Sequence, residues 1–133
     1  MGNVKGVYIL ILSVGKDISV NVGALGRLDL KRGQYAYVGS AQSNLEKRVE
    51  RHFKKDKRRF WHIDYLLYDD NVGVSRIFYE TARRSEECRI ARELSNRGLP
   101  IEGFGSSDCD CESHLIKLQD YEFLRESMRE LGT

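Results

Sequence analysis

The sequence predicts an α+β fold, in which a small, mainly antiparallel central sheet is flanked by helices and has an extended N-terminal hairpin. Two features of the sequence support this prediction. Short apolar or alternating stretches bounded by glycines and polar turns recur along the chain, which is typical of strands. Between them lie segments with apolar residues at helical spacing, two of which begin at a serine suited to capping a helix.

Length and composition indicate a single domain spanning residues 1–133. The chain has 133 residues, one proline and no Gly/Ser-rich linker, and 41% of its residues are hydrophobic and 32% charged. The longest apolar run, Val7–Leu12, is far shorter than the ~20 residues that span a bilayer, and the N-terminus lacks a cleavable signal pattern. Three cysteines cannot all pair within the chain. We therefore expect a cytoplasmic protein with no membrane association.

The first part of the chain predicts three strands. Gly6–Ser13 and Ile18–Val22 are joined by the turn VGKD, and Gln34–Gly39 follows the loop GALGRLDLKRG. Side chains alternate between the two faces of a strand. If the first and third strands pair, Tyr8 and Tyr37 can therefore approach each other.

The next segment predicts a helix that begins at Ser43 and runs to about Lys55. Ser43 and Glu46 fit a capping box, in which each side chain accepts a backbone hydrogen bond at the other position. The apolar stripe expected to pack on the sheet consists of Leu45, Val49 and Phe53. Arg48 and His52 border this stripe, so we expect both where the helix meets the sheet, near the tyrosines.

Four further elements and a final helix are predicted downstream. A helix is predicted from the helical spacing of four apolar residues, Phe60, Ile63, Leu66 and Leu67. Val72–Glu80 alternates like a main strand, and a helix capped by Ser85 is expected to end near Asn96. Ser113–Leu118 is predicted as an edge strand. Asp120 is expected to cap a final helix whose shared face carries Leu124, Met128 and Leu131.

The formal net charge is +2, but the charge is unevenly distributed. Glu46–Arg59 contains eight basic and three acidic residues, whereas from Ser85 onwards eleven acidic residues accompany six basic ones. A dense basic cluster suits either a solvated surface or a polyanion such as a nucleic-acid backbone. The candidate nucleic-acid-binding residues are Lys47, Arg51, Lys54, Lys55, Lys57, Arg58 and Arg59.

In the Ser85 helix, Glu87 projects to the centre of the apolar stripe, whereas Glu86 points away. The helix dipole favours an acid in the first turn by ~0.3 to 1 kcal/mol, which accounts for Glu86. Desolvating a charge costs several kcal/mol unless a cation or hydrogen bonds compensate it. Glu87 is therefore either a metal ligand or active-site carboxylate, or a first-turn acid whose charge is compensated locally.

Several short motifs occur together. Gly6-Val7-Tyr8 and Tyr37-Val38-Gly39, followed by LEKR and RHF of the first predicted helix, resemble the signature of the GIY-YIG endonuclease superfamily. WHIDYLL, ECRIA and GFGSSDCDCESHL are similar to its Uri-type branch, formerly a domain of unknown function. The resemblance covers Gly6 to about Leu118. One departure is the 28 residues between the tyrosines, more than in the superfamily's short hairpin, which require an extended hairpin or an extra strand.

The resemblance implies a role for each residue that matches the motifs. Tyr8 would be the general base or would position the attacking water, and Tyr37 would lie close to that water and the scissile phosphate. Arg48 would stabilise charge on the phosphate oxygens. Glu87 would hold one divalent cation, Mg²⁺ or Mn²⁺. His52 would assist, or would be a helix residue satisfied by its neighbours. The implied substrate is nucleic acid, DNA rather than RNA.

Cysteine and histidine residues form a second group. Cys88, Cys109, Cys111 and His114 would supply a Cys₃His set for Zn²⁺ if they converge. The CxC spacing is tighter than the usual gap of two to four residues, which argues against zinc. The alternatives are structural cysteines in a reduced protein, or a place for His114 at the border of the active-site cleft.

The leading hypothesis is a divalent-metal-dependent DNA endonuclease. A nucleic-acid-binding module of the same fold with little or no cleavage activity is the second, and a zinc-stabilised interaction domain is the third. We expect no attached specificity domain, and we therefore expect specificity to come from a partner protein or a homodimer, or to be low.

Overall fold

The computed structural model describes residues 5–54, 61–105 and 112–131. The strands are β1 (Gly6–Val14), β2 (Ile18–Asn21), β3 (Arg27–Leu30), β4 (Gly33–Ala41), β5 (Val72–Glu80), β6 (Leu99–Pro100), β7 (Leu115–Leu118) and β8 (Arg129–Glu130). The helices are α1 (Leu45–Phe53), α2 (His62–Tyr68) and α3 (Glu86–Ser95). Short 3₁₀ turns cover Gly23–Leu25 and Glu122–Glu126.

The central sheet has six strands in the order β6-β7-β4-β1-β5-β8, and each neighbouring pair is antiparallel. The predicted fold class, an antiparallel sheet flanked by helices with an extended N-terminal hairpin, is confirmed. β5 coincides with its predicted range, and β1 and β4 are each slightly longer than expected.

β1 is apolar along almost its whole length because both faces of the sheet are covered. Tyr8, Leu10 and Leu12 belong to a buried cluster that also contains apolar residues of α1 and α2. Val7, Ile9 and Ile11 belong to a second cluster that contains the buried residues of α3. The helices therefore pack on opposite faces of the central sheet.

The long segment between β1 and β4 contains a separate two-stranded hairpin of β2 and β3. The sequence predicted a loop at RLDL, and that prediction is wrong, because Leu28 packs against the core and Leu30 is buried in it. This hairpin is the insertion that lengthens the path between the two tyrosines.

Helix α1 differs from its prediction at both ends. Its cap is Asn44, whose side chain accepts a hydrogen bond from the backbone N–H of Lys47 at 3.1 Å, and the predicted Ser43 cap is wrong. Phe53 is 54% exposed, whereas His52 is 3% exposed and occupies the position expected for an apolar residue. His52 can be buried there because its ring nitrogen has a hydrogen-bond partner on β1.

The C-terminal predictions also change. β7 is not an edge strand, since β6 pairs with its outer side and β4 with its inner side. The predicted final helix is the 3₁₀ turn Glu122–Glu126 followed by β8. Leu124 and Met128 are buried beside α3, but Leu131 packs against the other cluster, so the three residues do not share one helix face.

Within the described residues, no helix is long and apolar enough to cross a membrane.

Candidate active site

A cleft of about 840 Å³ opens where β1 begins and β4 ends, beside the starts of α2 and α3. Tyr8, Tyr37, Arg48 and Glu87 all line it. These side chains come from two strands and two helices that are far apart in the sequence. The fold therefore brings four of the five candidate catalytic residues to one cleft, and the fifth, His52, contacts Tyr8.

Strand pairing places the two tyrosines, and glycines make room for them. Tyr8 pairs with Gly39, and Tyr37 pairs with Leu10, so the two phenols lie diagonally on one face of the sheet. A Cβ at position 39 would lie 2.7 Å from both Cζ and the hydroxyl oxygen of Tyr8. A Cβ at Gly6 would collide with the carbonyl oxygen of Glu80. The glycines of both motifs are therefore required for close packing.

The hydroxyl of Tyr8 lies 2.6 Å from Nε2 of His52, and both residues are buried. Burial raises the pKa of Tyr8 well above its ordinary value, and the smaller opposing effect of the Arg48 guanidinium does not offset it. A phenol can act as a base by itself only if neighbouring cations lower its pKa, and Arg48 alone does not outweigh burial here. In the resting protein Tyr8 keeps its proton at neutral pH.

Tyr37 is half-buried and makes edge-on ring contacts with His52 at 6.1 Å and with Phe104 at 6.2 Å between centroids. Burial is the main cause that raises its pKa, and the nearby Tyr8 and Glu87 raise it further. Its phenol is therefore a hydrogen-bond donor at neutral pH.

Glu87 lies in the first turn of α3, and its side chain is 21% exposed. Its Oε2 is 4.0 Å from Nδ1 of His114, whose pKa is lowered by burial. His114 is therefore neutral at pH 7, and the contact is not a permanent ion pair. By contrast, Glu86 pairs with Arg89 at 2.6 Å on the surface of α3.

The donor set around Glu87 suits a hard cation that binds through few protein ligands. Within the described residues, three or more His, Cys, Asp or Glu side chains nowhere converge as metal ligands. Mg²⁺ is usually held by one or two carboxylates together with waters and substrate phosphates. The Glu87 carboxylate at the wall of the cleft fits this mode of binding.

Two of the four candidate zinc ligands, Cys88 and His114, lie within the described residues. Sγ of Cys88 lies 3.8 Å from Nε2 of His114, and Cys88 is disulfide-bonded. That state differs from the reduced cysteine expected from the sequence. Cys109 and Cys111 lie outside the described residues. A cysteine in a disulfide cannot be a thiolate ligand, so a Cys₃His site would first require reduction of the bond at Cys88.

The basic segment contributes less to the cleft than its charge suggested. Lys47 is exposed on α1 and Lys54 is exposed directly after it, and neither is among the residues that line the cleft. Arg51, a candidate for nucleic-acid binding, is turned towards α2, where it forms a bidentate ion pair with the buried Asp64. The remaining basic candidates, Lys55, Lys57, Arg58 and Arg59, lie outside the described residues.

The cleft also contains residues that the sequence reasoning missed, notably Trp61, His62 and Arg84. Nδ1 of His62 accepts a hydrogen bond from the backbone N–H of Gly105 at 2.9 Å, so the neutral ring carries its proton on Nε2. Arg84 is exposed at the start of α3 and adds a cation. Two sequence patterns could have indicated these residues. One is the Trp-His pair at the start of α2, and the other is the Arg-Arg pair before the acidic first turn of α3.

The fold and the cleft define an antiparallel α+β domain with a polar, tyrosine-lined cleft at the end of its central strands. Over residues 7–133 the chain matches the family described as domain of unknown function DUF123, and it belongs to that family. No curated protein and no solved structure matches the chain. The family description does not name a reaction, so function has to be argued from the cleft.

Proposed function

We propose that this protein is a divalent-metal-dependent endonuclease that hydrolyses DNA phosphodiester bonds by a GIY-YIG-type single-metal mechanism. The observation that carries the proposal is the presence of Tyr8, Tyr37, Arg48 and Glu87 in one cleft. Phosphodiester hydrolysis requires a nucleophilic water, stabilisation of charge on the phosphoryl oxygens and assistance to the leaving alkoxide. The four side chains are suited to these tasks.

Proton transfer from the attacking water is assigned to Tyr8 and His52 together. Because its pKa is raised, Tyr8 holds its proton until another group accepts it. Nε2 of His52, 2.6 Å away, is in place to take that proton while the phenol oxygen takes one from the water. Tyr8 thus acts as a relay, and His52 is the final proton acceptor.

Stabilisation of the charge that develops on the phosphate oxygens is assigned to Arg48 and Tyr37. A guanidinium presents paired N–H donors that match two phosphate oxygens. The protonated hydroxyl of Tyr37 donates a further hydrogen bond to the water or to a phosphate oxygen. Arg84, exposed at the rim of the same cleft, is placed to contact a neighbouring phosphate.

Glu87 is the residue that would hold one Mg²⁺ or Mn²⁺ ion. When bound, the cation supplies Lewis-acid stabilisation of the phosphoryl and leaving oxygens. The carboxylate lines the cleft, and its neighbour His114 is neutral and does not add a competing positive charge.

Binding along the DNA backbone is assigned to Lys47 and Lys54, which are exposed on α1 and directly after its end; the same helix carries Arg48. Contacts of this kind are independent of sequence and weaken as salt concentration rises. We propose that any sequence or structure preference comes from a partner protein or a homodimer, and that the protein acts in the cytoplasm.

A nucleic-acid-binding module with little cleavage activity is the alternative. The observation that favours it is the burial of Tyr8, which is 1% exposed and has a raised pKa. A phenol held in this way is a poor base unless the proton relay to His52 operates.

The proposal is tested by incubating supercoiled plasmid, branched DNA and single-stranded DNA with Mg²⁺ or Mn²⁺. We expect wild-type protein to cut at least one substrate and to be inactive in EDTA. Arg48→Ala should lower the single-turnover rate by about 10²- to 10³-fold, because a donor to developing charge is lost. Glu87→Ala should abolish metal-dependent cutting, because the proposed cation loses its protein ligand.

Arg27→Ala is the matched control, since Arg27 is exposed on β3 and its guanidinium pairs with polar residues of the same hairpin. Salt-dependent DNA binding without cleavage by wild-type protein would support the binding module instead. Cutting that survives both Arg48→Ala and Glu87→Ala would show that the proposed site is not responsible.

A further inference from the structure

A buried carboxylate fixes one of the two arginines of α1. Asp64, on α2, is 1% exposed. Its Oδ1 and Oδ2 accept hydrogen bonds from the two terminal nitrogens of Arg51 at 2.9 and 3.1 Å, and Oδ2 also accepts one from the backbone N–H of Trp61 at 2.9 Å. A buried charge without such partners is strongly unfavourable, so the bidentate pair holds α1 against the start of α2.

The indole of Trp61 is in contact with both arginines of α1. Cζ of Arg51 lies 4.3 Å and Cζ of Arg48 lies 4.5 Å from the ring centroid. Both distances are within the ~6 Å range of cation–π attraction. The ring of Trp61 also lies next to the ring of His52, with centroids 6.3 Å apart. Trp61 therefore links the ion pair to the cleft, because its ring contacts Arg51 of the pair and also contacts Arg48, which lines the cleft.

The two arginines, although similar in sequence context, have different surroundings. Arg51 is committed to Asp64, whereas Arg48 lines the cleft and lies close enough to Tyr8 to affect its pKa. A long side chain loses rotamer entropy when it is held in one geometry. A surface that restricts Arg48 before substrate arrives reduces that cost during the reaction.

We propose that Asp64, Arg51 and Trp61 position the guanidinium of Arg48 at the wall of the cleft, with Trp61 as the surface that holds it. This proposal deepens the nuclease function proposed above and rests on it for its catalytic consequence. All three are positioning residues, because they act through Arg48 and not on the phosphate.

The first test does not depend on cleavage. The Nε–Hε resonance of Arg48, assigned by its loss in Arg48→Ala, should be displaced by the ring current of Trp61. Trp61→Leu should remove that displacement, and Asp64→Asn should shift or broaden the resonance. Asp29→Asn, in an exposed ion pair on β3, is the matched control and should leave it unchanged. A resonance insensitive to both Trp61→Leu and Asp64→Asn would overturn the proposal.

The second test uses single-turnover cleavage. Trp61→Leu should lower kcat by about 10- to 100-fold with little change in KM, because the guanidinium is misplaced but the binding surface is kept. Trp61→Phe, which retains an aromatic face, should recover most of the rate. If thermal unfolding shows that Trp61→Leu or Asp64→Asn is poorly folded, Trp61→Phe is the variant used for the test.

The decisive comparison is made in the Arg48→Ala background. There, Trp61→Leu should cause less than about a threefold further loss, because residues that act through one group are not additive. A full additional loss, or an effect confined to KM, would mean that Trp61 contacts DNA directly and would overturn the proposal. If wild-type protein does not cleave, the nuclease function fails, while the resonance of Arg48 still decides whether the positioning exists.

Discussion

The ring of Tyr8 occupies the space that a side chain at position 39 would fill. Tyr8 pairs with Gly39 across β1 and β4, and a Cβ added to this glycine would lie 2.7 Å from the phenol, closer than a real side chain tolerates. The glycine therefore determines how closely the hydroxyl can approach His52. The catalytic proposal depends on this contact, since the proton of Tyr8 must reach Nε2.

Replacing this glycine should affect activity and stability together. Gly39→Ala should lower the unfolding free energy by about 1 to 3 kcal/mol through overpacking, and the rate of DNA cleavage by about 10- to 100-fold through displacement of Tyr8. Urea unfolding and single-turnover nicking measure the two effects. Gly73→Ala is the control, because a Cβ there meets no atom within 4 Å. Equal behaviour of the two variants would contradict the packing argument.

Sequence alternation predicted that Tyr8 and Tyr37 can approach each other if their strands pair, and the register of β1 and β4 places both on one face. It could not predict the direction of the pKa shift, which depends on how deeply α1 covers the phenols. Nor could it predict the orientation of Arg51. The partner of Arg51, Asp64, lies on another helix, and helical spacing within α1 carries no information about it.

At the scale of elements, α1 begins at an unexpected residue. Ser43 and Glu46 satisfied the capping pattern in the sequence, but the backbone N–H of Lys47 binds the side chain of Asn44. Local patterns could identify the helix and its buried residues Leu45 and Val49. They could not distinguish two neighbouring caps, since both residue types are favourable at this position.

The cap can be tested by a pair of substitutions. Asn44→Ala should lower the unfolding free energy by about 0.5 to 2 kcal/mol, because a backbone donor at the start of α1 loses its partner. Ser43→Ala should change it by less than about 0.5 kcal/mol, as expected for an exposed residue without such a role. Chemical denaturation of both variants provides the measurement, and a larger effect at Ser43 would refute the assignment.

At the scale of the whole molecule, the order of strands was the least predictable feature. The lengthened path between the tyrosines indicated an extended hairpin or an extra strand, and β2 and β3 supply it. Local patterns did not indicate that β7 would be inserted between β6 and β4, because such pairing joins residues distant along the chain. This insertion brings His114 next to Glu87 and so completes one wall of the cleft.

Acid should destabilise the protein through two cleft histidines. Burial lowers the pKa of His62 and His114 in the folded state, so the unfolded chain binds more protons once the pH falls towards their ordinary value near 6.5. Stability is therefore present above that value and is lost below it. The urea midpoint should fall between about pH 7.5 and 5.5, and it should fall less in His62→Gln.

Asp29→Asn is the control for this pH dependence, since Asp29 has a lowered pKa and titrates below the window. It should shift the stability curve without changing its slope between about pH 7.5 and 5.5. An identical slope in wild-type protein and His62→Gln would contradict the contribution assigned to His62.

The central claim, that the phenol of Tyr8 transfers a proton during DNA cleavage, is tested most directly by the single-turnover nicking rate of Tyr8→Phe with Mg²⁺ or Mn²⁺. The substitution removes one oxygen and keeps the ring that packs over Gly39. We expect a loss of about 10²- to 10⁴-fold, as for removal of a general acid–base group. A rate within about twofold of the wild-type value, in a variant with unchanged folding, would contradict the claim.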